Sequence, residues 1–147
     1  MDILTQDAPE RINLLREHWL EMLGDVRKRA TEEACGFVAG EGITSRAVFP
    51  LTNVHHSPVR YALDPLEQFG AFQRIAENGW KLLAIYHSHL GGPATPSPTD
   101  KAGATYPEAV YIIWSRVEQE MGCRGFQINQ GKVREIEISV IESGEAD

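Results

Sequence analysis

A chain of 147 residues, 42% of them hydrophobic, is long enough to build one core and too short for two ordinary domains. Fourteen Lys and Arg against twenty-one Asp and Glu leave a formal net charge of −7, which argues against sequence-independent nucleic-acid binding, because that depends on basic side chains at phosphates. No apolar run approaches the ~18 residues of a membrane span, the first residues hold no apolar signal core, and Cys35 and Cys123 stand too far apart for a disulfide framework or a thiolate zinc site. The expectation is one cytoplasmic domain whose chemistry comes from His, carboxylates and hydroxyls.

In chain order, residues 1–9 are polar and expected as a flexible terminus. Arg11 to Leu15 (RINLL) reads as a short strand. Glu17 to Arg29 places Trp19, Leu20, Leu23 and Val26 at helical spacing, so an amphipathic helix is predicted. Ala34 to Ala39 (ACGFVA) is a buried strand stopped by Gly40 and Gly42, and Ile43 to Asn53 is its hairpin partner. His55 to Val59 is a loop around Ser57-Pro58, with a short strand over Arg60 to Leu63. Asp64-Pro65 opens a helix that runs through Phe69, Phe72, Ile75 and Ala76 to a stop at Asn78-Gly79. Lys81 to His87 (KLLAIYH) is a buried strand, residues 91–98 are a Gly/Pro loop, and Thr99 to Thr105 supplies a helical turn or two. Ala109 to Ser115 is another buried strand. Cys123 to Asn129 and Lys132 to Ile141 form a terminal hairpin around Asn129-Gln130-Gly131, and residues 143–147 are expected to be flexible. Strands and helices interleave with hairpins, which predicts an α+β fold in which a mixed, mostly antiparallel sheet is sandwiched by helices.

The chemistry concentrates in one stretch: His87-x-His89, seven residues, then Ser97-x-x-Asp100. Side chains two apart on a strand point to one face, so His87 and His89 can present two imidazoles to one point. Asp100, at the start of a helical turn beyond the loop, can close back as a third ligand. Two His and one carboxylate with a fourth position left for water is a catalytic rather than structural zinc arrangement. Bound zinc lowers the pKa of its water and polarises a carbonyl.

This pattern resembles the signature of the JAMM (MPN+) zinc metalloproteases. Glu33-Ala34-Cys35-Gly36 is similar to the Glu-x-Cys-Gly that family members carry upstream. Asn53, Ser57-Pro58, Tyr61 and Leu63-Asp64-Pro65 look like the small bacterial members, above all the type that hydrolyses a sulfur-carrier-protein–cysteine bond, so residues 11–142 are covered. The resemblance implies a single MPN/JAMM catalytic domain over 10–142 with a layering like that of cytidine deaminases. It implies one Zn2+ per chain on His87, His89 and Asp100. Glu33 becomes the general base that takes a proton from the zinc-bound water and passes it to the leaving amine, and Ser97 donates to the tetrahedral oxyanion. Glu32 is the neighbouring competitor for the base; the spacing to Cys35-Gly36 favours Glu33. The implied substrate is the C-terminal tail of a ubiquitin-like or sulfur-carrier protein, with no nucleic acid or membrane partner. A homo-oligomer is compatible with the sequence. Such tails are extended and Gly-rich, which suits strand addition along a sheet edge. The other readings are a non-catalytic MPN scaffold and a zinc amidohydrolase of a small-molecule amide. One departure from the family stands out: Leu90 followed by Gly91-Gly92 replaces the common Pro after the second His.

Other residues carry less. His55-His56 reads as an exposed loop pair, and His18 as a surface or boundary residue of the first helix. Cys35 reads as a small hydrophobe. Trp80, Trp114 and the Phe69/Phe72 pair read as core.

Overall fold

A computed structural model describes residues 2–4, 7–117 and 120–145. β1 (Arg11–Leu15) runs straight into α1 (Arg16–Lys28), which buries His18, Met22, Leu23 and Val26. β2 (Cys35–Glu41) and β3 (Thr44–Leu51) form an antiparallel hairpin. α2 (Pro65–Glu77) starts where the sequence predicts it. The Asp64 carboxylate accepts the Leu66 and Glu67 N–H groups at 2.9 and 3.1 Å, and Pro65 fills a position that needs no donor. β4 (Lys81–Ser88) is followed by α3 (Pro98–Gly103), β5 (Val110–Val117), β6 (Glu120–Asn129) and β7 (Lys132–Ile141). The strand predicted over Arg60 to Leu63 is absent; one isolated bridge, Asn53 to Leu63, takes its place.

β2 and β4 are buried along nearly their whole length because each is flanked by strands and covered on both faces. Alternation then divides the core. Ala84 and Tyr86 of β4, with Val110, Ile112 and Trp114 of β5, face the α1 side together with Ile12, Leu14 and Met22. Leu82 and Ile85 of β4, with Tyr111 and Ile113 of β5, face the α2 side with Phe37 and Ile75.

The α+β class and the mixed sheet are as predicted, but the sheet is not an open layer between helices. It closes into a seven-strand barrel in the order β1-β3-β2-β4-β5-β6-β7. β1 makes the closure, pairing parallel with β7 from Arg11↔Glu137 to Leu15↔Ile141 and meeting β3 at Asn13↔Thr44. Periodicity says which face of RINLL is buried and nothing about how many neighbours it has, so closure was not readable from it.

Three further expectations change. Phe69 is 60% exposed, whereas Phe72 stacks on Phe37 at 5.1 Å between ring centroids. His18 is buried, with Nδ1 2.7 Å from the Ser45 hydroxyl. Ile3 is buried, and its carbonyl accepts the Leu82 N–H at 2.7 Å. The expectations for residues 1, 5, 6, 146 and 147 lie outside the described residues.

Gly36 shows why the residue after Cys35 carries no side chain. A Cβ there would stand 2.5 Å from the Phe49 carbonyl oxygen and 2.5 Å from Cε2 of Tyr86. The carbonyl belongs to the β2–β3 ladder and cannot yield cheaply. Gly36→Ala is therefore expected to destabilise by about 2–3 kcal/mol, roughly 5–10 °C in Tm for a chain of this size. Gly70→Ala, inside α2 with nothing within 4 Å, is expected to change Tm in the opposite direction. Thermal melts of the two variants check both signs.

Candidate metal centre

β4 ends in His87-Ser88, and His89 follows as its continuation: the His89 N–H donates to the Trp114 carbonyl of neighbouring β5 at 2.8 Å. The period-2 expectation holds, because the two Nε2 atoms stand 3.2 Å apart. Ser88, between them, points the other way and accepts the Ala34 N–H at 2.9 Å, while its own N–H donates to the Ala34 carbonyl at 3.0 Å. The turn that carries Glu33 is thereby fixed to the strand that carries the histidines.

Asp100 reaches the same point from α3. Ser97 caps that helix, its hydroxyl accepting the Asp100 N–H at 3.0 Å while the Ser97 N–H donates to Asp100 Oδ2 at 2.9 Å. The carboxylate so fixed lies 3.1 Å from His87 Nε2 and 2.9 Å from His89 Nε2. One donor atom from each of the three residues lies within 4.8 Å of the others, a grouping that could hold a metal ion.

The partners of the two rings are compatible with a cation at the Nε2 atoms. His89 Nδ1 lies 2.9 Å from the Pro93 carbonyl, which only accepts, so when the ring is neutral Nδ1 carries the proton and the lone pair is at Nε2. That lone pair faces a carboxylate oxygen and a second imidazole nitrogen, an arrangement of acceptors that a metal ion would satisfy. A backbone carbonyl on the far nitrogen is the usual companion of a ligating histidine. His87 has no such companion among the described residues: its Nδ1 is buried and unpartnered, and its ring stacks on Tyr61 at 4.6 Å between centroids. Burial lowers the pKa of His87 despite its bond to Asp100, which favours the neutral, ligating form. Burial also lowers that of His89, but the hydrogen bonds to Asp100 and Pro93 outweigh it and the net shift is upward. Asp100 is pushed up by burial and down by both histidines, and the histidines win, leaving it well below the usual carboxylate range.

Glu33 is buried at the wall of an open cleft of about 480 Å3 that it shares with Pro58, Val59, His89, Leu90, Gly91 and Ser97. Its Oε1 has no hydrogen-bond partner among the described residues. Burial pushes its carboxyl up to about 7, the nearby Asp100 charge adding to the rise and His89 opposing it. Glu32 turns elsewhere and lies 3.4 Å from His56 on the exposed loop. Of the two adjacent glutamates, Glu33 is the one beside the histidines. A second cavity of about 340 Å3 adjoins Asp100, lined by Tyr61, Leu63, Gln68, Thr99, Tyr106 and Tyr111 among others. His55 and His56 are exposed loop residues, Cys35 is a buried thiol pushed up to about 12 by burial, and Trp114 is fully buried, each as expected.

Asn53 is a supporting residue that sequence reasoning left without a role. It is fully buried, and its amide donates to the carbonyls of Glu33 at 3.1 Å and Arg60 at 3.0 Å while accepting the N–H groups of His55 at 3.0 Å and Ala62 at 3.2 Å. The His55 bond is an Asx turn, which an Asn two residues before a loop His can signal in sequence. Its bonds to Glu33 and Ala62 depend on the fold.

Residues 15–129 match the family of prokaryotic homologs of the JAB domain, and the chain belongs to that family, a set of small prokaryotic JAMM-type proteins. Among curated relatives, the CysO-cysteine peptidase of Mycobacterium tuberculosis is 35% identical over 124 residues, covering 82% of this chain and 85% of that protein. The probable TtuB-protein conjugate cleaving protease of Thermus thermophilus is 40% identical over 106 residues, covering 71% of this chain and 68% of that protein. A solution structure of a Desulfitobacterium hafniense protein, 36% identical, superposes with a TM-score of 0.80 over 90% of this chain and 94% of that one. Among the described residues no helix is long and apolar enough to cross a membrane.

Proposed function

We propose that residues 10–142 form a single zinc-dependent catalytic domain that hydrolyses an amide bond at the C-terminal tail of a ubiquitin-like or sulfur-carrier protein. The observation that carries this reading is the convergence of His87, His89 and Asp100 beside a cleft walled by Glu33 and Ser97. The relatives named for peptidase and conjugate-cleaving activities supply the substrate class.

His87, His89 and Asp100 would hold the metal. When bound, zinc supplies a Lewis acid that polarises the scissile carbonyl and makes water nucleophilic near neutral pH. Glu33 accepts the proton of the attacking water and delivers it to the leaving amine; a carboxyl raised toward neutrality by burial is matched to that task. Ser97 uses its oxygen to cap α3, so its hydroxyl proton is free to donate to the carbonyl oxygen as charge develops there. The Asp100 N–H fixes the position of that hydroxyl.

The test is intact-mass analysis of a sulfur-carrier protein bearing an amide-linked C-terminal cysteine, and of a lysine-linked conjugate of the same carrier. Each is incubated with zinc-loaded and with chelator-treated protein. About one zinc per chain is expected, with cleavage by the loaded form alone. Absence of zinc after supplementation sinks the metal assignment. Full zinc content with no cleavage of either carrier sinks the substrate class.

A further inference from the structure

The loop that leaves the histidine strand, Leu90-Gly91-Gly92-Pro93, lacks the proline that commonly stiffens this position in the resembling family. Gly91 has open space around it, and Gly92 adopts φ +87, a backbone conformation that a side chain would strain. A loop of this composition has little stiffness of its own. Yet the Pro93 carbonyl at its end must stay on His89 Nδ1, because that bond orients the ring and fixes which nitrogen bears the lone pair.

Two consecutive residues of β5 anchor the loop. The Trp114 carbonyl accepts the His89 N–H at 2.8 Å, and the Ser115 hydroxyl donates to the Gly92 carbonyl at 2.7 Å. Ser115 is 2% exposed, so its rotor is confined and the donor side of the bond is shielded from water, while Gly92 itself lies at the surface. The Gly92 carbonyl is part of the peptide that enters Pro93. Fixing it fixes the path of the chain one residue before the carbonyl that His89 requires.

We infer that Ser115 is a positioning residue of the metal centre: through Gly92 it holds the Pro93 carbonyl on His89 and so replaces the rigidity that a proline after the second histidine would give. It touches neither metal nor substrate. This inference rests on the proposed metal centre, and two readouts independent of hydrolysis test it.

The first is zinc affinity of the full chain, measured by competition with a chromophoric chelator. Removing a direct partner of a ligating histidine costs 10–100-fold in affinity; Ser115 acts one bond further out, and Ser115→Ala is expected to weaken zinc binding about tenfold. Ser115→Thr, which keeps the hydroxyl, is expected to stay within about threefold of the parent. Ser45→Ala removes an equally buried hydroxyl, bonded to His18 and to the Leu15 N–H away from the histidines. That variant is expected to lower Tm and leave zinc affinity unchanged, so a general loss of stability is not mistaken for the effect. The second readout is the hydrogen bond from His89 Nδ1–H to the Pro93 carbonyl in metal-free protein, followed by the solvent-exchange rate of that ring proton. Exchange is expected to be slow in the parent and about tenfold faster in Ser115→Ala. An affinity within twofold of the parent together with unchanged exchange overturns the inference. Should the alanine variant fail to fold, Ser115→Cys, a weaker donor of similar size, is expected to lie between parent and the tenfold loss, and parent-like values in both readouts overturn it equally. That hydrogen bond needs no metal, so a parent chain that binds no zinc defeats the metal assignment without touching the link from Ser115 to His89.

Discussion

Replacing Glu33 by Gln is expected to lower kcat by roughly 10²- to 10⁴-fold, the range for removing a positioned general base, while the protein keeps its full complement of zinc. The donors to the metal are His87, His89 and Asp100, and Glu33 stands outside that set, so metal content and catalysis separate at this residue. Gln preserves the shape of the side chain within the buried wall of the cleft and removes only the ability to take a proton. Turnover is measured on the carrier-protein substrates and zinc by elemental analysis. A variant that cleaves at the parental rate shows the base to be misassigned, and one that loses zinc shows Glu33 to act through the metal site instead. The same substitution has a pH signature in the metal-free chain. Burial raises the folded-state carboxyl from the ordinary 4.5 to about 7, so the folded chain retains a proton that the unfolded chain gives up. That contribution to stability is complete below about pH 4.5 and is lost as pH rises through 7. Gln carries no such group. Metal-free Glu33→Gln is therefore expected to gain in Tm on the metal-free parent between pH 5 and pH 8 and to show no gain at pH 4.

The second large effect is expected at Asn53. Its amide meets four backbone groups, the carbonyls of Glu33 and Arg60 and the N–H groups of His55 and Ala62. Asn53→Ala strands all four. A buried polar group left without its partner costs about 1–3 kcal/mol, and water can reach those of His55, Arg60 and Ala62 in part, so a total near 2–4 kcal/mol is expected. The loss is read by denaturant unfolding. Limited proteolysis within residues 54–62 is expected to accelerate in parallel, because the amide is what gathers that loop. Asn53→Asp keeps both accepted bonds, loses both donated ones and is expected to fall between. A change under about 1 kcal/mol with unaltered proteolysis shows the amide to be dispensable.

What could be read from sequence and what could not divides along physical lines. The two histidines were legible because strand periodicity alone puts residues two apart on one face, whatever the strand's neighbours. Asp100 was legible because Ser97-Pro98-Thr99-Asp100 is also a helix start, so local hydrogen bonding and site geometry agree. Glu33 was separated from Glu32 by its spacing to Cys35-Gly36, and Gly36 in turn is demanded by Tyr86 and the Phe49 carbonyl. Asn53 and Ser115 were not legible in the same way. Their partners are mainly backbone carbonyls brought near by tertiary structure, and such groups leave no mark in composition or spacing. Barrel closure failed for a related reason, since pairing of β1 with β3 and β7 depends on shape rather than on the pattern within RINLL. Phe69 misled because a helix with apolar residues at 69, 72 and 75 has a boundary position, and the Phe72 and Ile75 side of α2 is the side that packs.

Ser88 has a bearing on how the centre comes apart. Its backbone and hydroxyl both hold Ala34, one residue from Glu33, while its chain neighbours are the two histidines. Fluctuations that lift the end of β4 therefore carry the Glu33 turn with them, and partial opening that frees the base but spares the histidine pair is disfavoured. The Glu33 turn and the histidine end of β4 are on this account expected to open together in local unfolding rather than one before the other.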